Sequence, residues 1–226
     1  MSSGPASRRA RLALDAATPA ELWLLRLDPH PDDERRALLH GPDRDRLDRS
    51  TEPHRGRFLA RRALLADVVA DVLGVDPAEL ALVDVGGRVV VRHPRHGDVE
   101  VSTSSSGGVG LVAVGGPAVG VDIEATRLVP EADDIARTLL HPDEAAWIDA
   151  GPDRTARFLA VWVRKEAVVK LTGEGLQRDL RSFAVHPTAA GQEEVTGADD
   201  LGDVVTMGVP VPDGVAALAW RSAEVA

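Results

Sequence analysis

The segment Arg157-Phe158-Leu159-Ala160-Val161-Trp162-Val163-Arg164-Lys165-Glu166-Ala167-Val168-Val169-Lys170 carries two messages. Its first four residues repeat Arg57-Phe58-Leu59-Ala60, 100 residues earlier. The chain has only 3 phenylalanines in 226 residues, and two of them stand in these copies. Each copy opens a long apolar stretch of helical spacing that ends near a glycine, Gly74 or Gly173, and runs on into short apolar segments of strand length. The pattern predicts two similar α/β halves of roughly 110 residues each, one repeat per half. A cleft between two such halves is a usual place for a ligand.

Working outward from the first copy, residues 22–28 read as a strand, and residues 31–50 as two short helices broken at Gly41-Pro42. Residues 53–73 read as a longer helix with Phe58, Leu59, Leu65, Val68, Val69 and Leu73 on its buried stripe. Gly86-Gly87 marks a hairpin between apolar runs. Strands follow at 99–101 and 109–114, on either side of a Ser/Gly-rich turn at 102–108. Gly115-Gly116-Pro117 is a boundary. The organisation is therefore a loose, polar 1–18, an N-terminal half at 19–117 and a C-terminal half at 118–226. The second half reads as a strand at 118–124, helices at 131–140, 143–150 and 153–171, and strands near 180–186, 203–209 and 214–220.

Composition narrows the chemistry. There is no cysteine, so thiolate metal clusters and cysteine nucleophiles are excluded. No apolar run reaches the length of a membrane span, and the N-terminus lacks the apolar core of a signal peptide. The cytoplasm is the expected location, with no membrane partner. The net charge of -10 argues against nucleic acid as a partner. Of 26 basic residues only Lys165 and Lys170 are lysines. A general preference for arginine explains the bias, and the survival of both lysines in one short segment points to a need for lysine there.

Asp122 and Glu124 alternate along a strand and so share one face. Two adjacent carboxylates repel unless they lie in solvent or hold a hard cation such as Mg²⁺. In the second long helix, Trp162, Glu166 and Lys170 are spaced i, i+4, i+8 and also share a face. An ordinary surface ion pair would explain Glu166 and Lys170. The apolar residues around them instead predict a buried helix whose charges need partners. His93-Pro94-Arg95-His96 reads as a surface loop. No glycine-rich phosphate loop and no G-x-S-x-G is present.

Two of these stretches resemble the motifs of 4′-phosphopantetheinyl transferases of the Sfp type. Gly120-Val121-Asp122-Ile123-Glu124 is similar to G-[IV]-D-[IV]-E, and Trp162 to Lys170 is similar to W-x-x-K-E-[AS]-x-x-K. The resemblance extends over about residues 22–220. It implies an α+β fold of two pseudo-symmetric α/β halves with the active site at their interface. It also implies an enzyme that moves the phosphopantetheine arm of coenzyme A (CoA) to a serine hydroxyl of an acyl or peptidyl carrier protein, releasing adenosine 3′,5′-bisphosphate. Asp122, Glu124 and Glu166 would hold Mg²⁺. Glu166 is the leading candidate for the base, Lys170 would meet phosphate, and Glu144 would support the site. Arg62 aligns with an arginine that meets the CoA 3′-phosphate, while Arg55, Arg57 and Arg61 read as a solvated helix face. A monomer suffices for such a site.

The chain departs from the family in two places. Ser104-Ser105-Ser106 has Ser105 where the family commonly has histidine, and Gly87-Arg88-Val89 stands for Gly-Lys-Pro. Ser104, Ser105, Arg88 and Asp122 are still expected to contact CoA, with Ser105 weakening the hold because it brings no positive charge. Two other readings use the same residues. One is a non-catalytic relative that binds CoA or a carrier protein. The other is a nucleotide hydrolase, which the missing phosphate loop disfavours.

Overall fold

Two long helices, each laid on an antiparallel sheet, organise the chain. The computed structural model describes residues 8–14, 18–27, 39, 42–86, 88–115, 118–187, 192–197 and 200–222. The chain divides into two compact units, Met1–Pro117 and Ala118–Ala226.

The first unit contains β1 (Arg9–Leu12), β2 (Glu21–Arg26), α1 (Pro42–Arg49), α2 (His54–Leu73), β3 (Ala81–Val85), β4 (Arg88–His93), β5 (Gly97–Ser106) and β6 (Val109–Val114). Its six-stranded sheet runs β1-β2-β6-β5-β4-β3 with every pair antiparallel. The Gly86-Gly87 signal is met by the β3–β4 hairpin, in which Val85 faces Arg88. Leu64, Leu65, Val68 and Val69 of α2 meet Leu25, Leu82, Val91 and Val112 of the sheet in one core. From residue 58 to 70 every position of α2 is buried except Arg61.

Two expectations for this unit change, and one lies partly outside the described residues. Residues 9–12, expected loose, form edge strand β1, which pairs with β2 and is tied to α2 by Arg9 at 2.8 Å from Asp67. Neither the pairing nor the ion pair leaves a mark in local composition. The expected turn at 102–108 is mostly strand, because Ser102–Ser106 pair residue by residue with β6 and only Gly107 and Gly108 turn. Of the two short helices expected at 31–50, α1 is the second; the first falls outside the described residues.

The second unit contains β7 (Val119–Ala125), α3 (Ala132–Leu139), α4 (Pro142–Asp149), α5 (Arg154–Thr172), β8 (Gln192–Glu194), β9 (Val204–Val209) and β10 (Gly214–Arg221). Its sheet runs β7-β10-β9-β8, again antiparallel. Residues 180–186 are not a strand. They form a single 3₁₀ turn at Leu180–Ser182 and one bridge, Ala184 to Thr196. The repeated Arg-Phe-Leu-Ala begins at the fourth residue of α2 and of α5, and Gly74 and Gly173 cap the two helices in the left-handed conformation. Among the described residues no helix is long and apolar enough to cross a membrane.

Candidate functional site

Strand β7 and helix α5 hold the acidic and basic groups of the second unit. Val121 and Ile123 are 0% and 1% exposed on one face of β7, and the alternation turns Asp122 and Glu124, with Gly120, to the other face, the one that meets α5. On α5 the residues from 161 to 170 are buried except Trp162, Glu166 and Lys170. The i, i+4, i+8 stripe is thus the one open line along that part of the helix. It forms because Phe158, Leu159, Val161, Val163, Ala167, Val168 and Leu171 all enter the core on the other sides.

Gly120 lets these two elements meet. A Cβ at this position would lie 1.9 Å from the Ala167 carbonyl oxygen and 2.6 Å from the Leu171 nitrogen, both backbone atoms of α5. No side chain can occupy that space, so glycine brings the strand against the helix. As a result Lys170 Nζ donates to Asp122 Oδ1 at 2.7 Å. Burial pushes the Glu166 carboxyl above the usual carboxylate range; the negative charge of Asp122 adds to this, Lys170 pulls against it, and Glu124 raises it further. Asp122, Glu124 and Glu166 therefore share one electrostatic neighbourhood. Glu124 lies 3.9 Å from Arg127.

These three carboxylates supply the hard oxygen donors that suit Mg²⁺. With the side chains as they stand, the described residues include no group of three acidic or imidazole side chains arranged as metal ligands, and the Lys170 ammonium is the cation on Asp122. The donor chemistry fits a divalent ion, which would offset both the burial and the carboxylate repulsion that raise Glu166.

Lys165 and Glu144 behave differently from Lys170. Their side chains are 0% and 1% exposed and pair at 2.8 Å. Lys165 also donates to the carbonyls of Leu180 and Phe183. Glu144 accepts from the backbone N–H of Val185 and of His141. Apart from the His141 contact, which caps α4, the polar contacts of this pair join α4 and α5 to each other and to the segment after α5.

In the first unit, a cavity of about 260 Å³ is lined by Arg46, His54, Arg57, Phe58, Arg61 and Ser105 among others. Arg61 Nη1 donates to Ser105 Oγ at 3.0 Å. The Phe58 ring lies under three guanidinium groups, with Arg46 at 5.2 Å, Arg61 at 5.6 Å and Arg62 at 5.3 Å from its centroid. Of the residues expected to contact CoA in this unit, only Ser105 lines the cavity. Arg62 is buried and bound to Asp43 through two contacts, 2.8 Å and 3.0 Å. Arg88 lies on β4, 4.0 Å from Glu100, and Ser104 alternates to the other face of β5 from Ser105. Arg57 and Arg61, expected on a solvated helix face, line this cavity together with His54, for which no role is expected from the sequence. Their spacing of three and four residues on one helix is the signal that aligns them.

Residues 118–208 match the family model described as the 4′-phosphopantetheinyl transferase superfamily. The 4′-phosphopantetheinyl transferase HetI of Nostoc sp. is 27% identical over 209 residues, covering 88% of this chain and 86% of that protein. A 4′-phosphopantetheinyl transferase of Bacillus subtilis is 33% identical over 134 residues, covering 56% of this chain and 58% of that protein. A phosphopantetheinyl transferase of Thraustochytrium sp. is 34% identical over 178 residues, covering 69% of this chain and 62% of that protein. Against a solved holo-acyl-carrier-protein synthase of Thermotoga maritima, the TM-score is 0.39 at 20% identity, over 46% of this chain and 61% of that one.

Proposed function

We propose that this chain, whose C-terminal unit carries the domain of the 4′-phosphopantetheinyl transferase superfamily, is a transferase that moves 4′-phosphopantetheine from CoA to a serine hydroxyl of a carrier protein. The observation that carries the reading is the meeting of Asp122 and Glu124 on β7 with Glu166 and Lys170 on α5. That face is charged and half-buried on an otherwise apolar helix. The named relatives, all phosphopantetheinyl transferases, support the reaction class.

In this reading the serine oxygen attacks the phosphorus that bears the pantetheine arm. The bond from that phosphorus to the bridging oxygen breaks, and adenosine 3′,5′-bisphosphate leaves with the electron pair. Glu166 takes the serine proton, directly or through water, and burial makes its carboxylate a stronger acceptor than an exposed one. Lys170 sits on the same face and offers a mobile ammonium to the phosphate oxygens. Asp122, Glu124 and Glu166 would hold Mg²⁺, which when bound neutralises charge on the pyrophosphate.

Mass spectrometry of an apo carrier protein incubated with the chain, CoA and Mg²⁺ tests this. A gain of one phosphopantetheine is expected, and chelation of divalent ions should stop it. Asp122→Ala and Glu166→Ala should each abolish the gain while the protein still unfolds cooperatively. Wild-type turnover by Glu166→Ala would refute its assigned role. Release of free nucleotide with an unmodified carrier would mark a hydrolase instead.

A further inference from the structure

Arginines of this chain hold carboxylates through a fork. Arg62 meets Asp43 at 2.8 Å and 3.0 Å, and Arg178 meets Asp200 at 2.6 Å and 2.9 Å. Lys170 meets Asp122 differently. Its Nζ donates to Oδ1 at 2.7 Å, from a side chain 30% exposed to one only 7% exposed. The other lysine, Lys165, is 0% exposed and is fixed by Glu144 and by the carbonyls of Leu180 and Phe183 together.

We infer that Lys170 is a displaceable counter-ion of Asp122: it holds this carboxylate until a divalent cation takes it, and the released ammonium is then available to a phosphate oxygen. The inference rests on the reading of Asp122, Glu124 and Glu166 as a divalent-ion site, and it gives Lys170 two successive partners.

The chemistry of the face supports the exchange. A carboxylate as buried as that of Asp122 is costly without a cation beside it. Lys170 supplies that charge, and its effect reaches Glu166 as well: burial and then the charge of Asp122 push the Glu166 carboxyl up, and Lys170 opposes both. A divalent cation brings two charges and takes oxygen donors from several carboxylates at once. The ammonium and such an ion seek the same carboxylate and repel each other, so each weakens the hold of the other. The flexible stem of Lys170 lets its ammonium move while α5 stays in place, and its partly exposed end has room to do so. A guanidinium fork would grip Asp122 with two bonds and resist the exchange. This gives a physical reason for lysine at position 170 in a chain that elsewhere, apart from the sealed Lys165, uses arginine.

Calorimetric titration of the full chain with Mg²⁺ at fixed ionic strength, with neither CoA nor carrier protein, tests the inference. Lys170→Met should bind Mg²⁺ about tenfold or more tightly than the wild type, as expected when a hydrogen bond to a charged group no longer competes. Lys170→Arg keeps the charge and adds the fork, so it should bind Mg²⁺ more weakly than the wild type. A general repulsion between cations predicts equal affinities for lysine and arginine, and that equality overturns the inference. Magnetic resonance of the chain with isotope-labelled lysine gives a second readout, since only Lys165 and Lys170 contribute ammonium signals. The signal missing in Lys170→Met belongs to Lys170. Saturating Mg²⁺ should shift it and speed the exchange of its protons with water, while the Lys165 signal stays in place. A Lys170 signal that does not move while Mg²⁺ binds overturns the inference and leaves the divalent-ion reading standing. If neither the wild type nor Lys170→Met binds Mg²⁺, the divalent-ion reading falls and takes this inference with it.

Discussion

At the scale of single residues, Lys165 shows why lysine persists in a chain that otherwise uses arginine. Its slim stem and compact ammonium reach Glu144, the Leu180 carbonyl and the Phe183 carbonyl together, with the Phe183 ring 3.9 Å from Nζ. A planar guanidinium has neither the size nor the donor directions for that site. Removing one partner from a buried pair leaves a buried charge, so Lys165→Met should lower unfolding free energy by about 3–5 kcal/mol in denaturant titrations. Glu144→Gln with Lys165→Met should recover much of that loss, since no charge is then buried alone. Burial lowers Lys165 from its ordinary value of 10.5 to about 8, against the pull of Glu144. Between these values the unfolded chain binds more protons than the folded one. Stability therefore rises with pH through that window, and this slope should vanish in Lys165→Met.

At the scale of elements, the distance between β7 and α5 is set by Gly120. An alanine there must push against backbone atoms of α5 that cannot rotate away. Gly120→Ala should therefore cost about 1–3 kcal/mol of stability as overpacking. The same shift separates Asp122 from Lys170, and a displacement near 1 Å at a reacting centre can cost about 100-fold in rate. Gly208 in β9 is the control. A Cβ there would meet the end of the Arg164 side chain at 3.0 Å, which can move. Gly208→Ala should destabilise the unit yet keep the transfer rate. Equal rates for the two variants would show that the β7–α5 spacing has no special role.

At the scale of the whole molecule, charge would set how the proposed carrier protein is met. The chain carries -10 at neutral pH, so a carrier that is itself acidic would be repelled at long range. Long-range attraction then contributes little to encounter, and docking depends on apolar contacts with local arginines. The rate of carrier modification should hold steady or rise over roughly a tenfold increase in salt, because screening relieves repulsion between two acidic partners. A steep fall would mean that opposite charges drive the encounter.

The strand with Asp122 and Glu124 on one face, and the helix with Trp162, Glu166 and Lys170 on one line, were legible in the sequence. Each depends on the period of a single element, and that period is written in neighbouring residues. The repeat at Phe58 and Phe158 likewise announced the two long helices. The motif alignment picks Arg62 for a phosphate and leaves Arg61 on a solvated face, whereas Arg62 is the one paired in the interior. Their partners, Ser105 and Asp43, lie 44 and 19 residues away, and pairing at such separations is fixed only when two helices and a strand are packed together. For the same reason β1 was unreadable, since an edge strand draws its stability from β2 and from Asp67 rather than from its own polar residues. Local periodicity determined which groups share a face. Tertiary packing decided which of them are neutralised in the interior and which remain open to a ligand, because charge compensation depends on distance in space rather than along the chain.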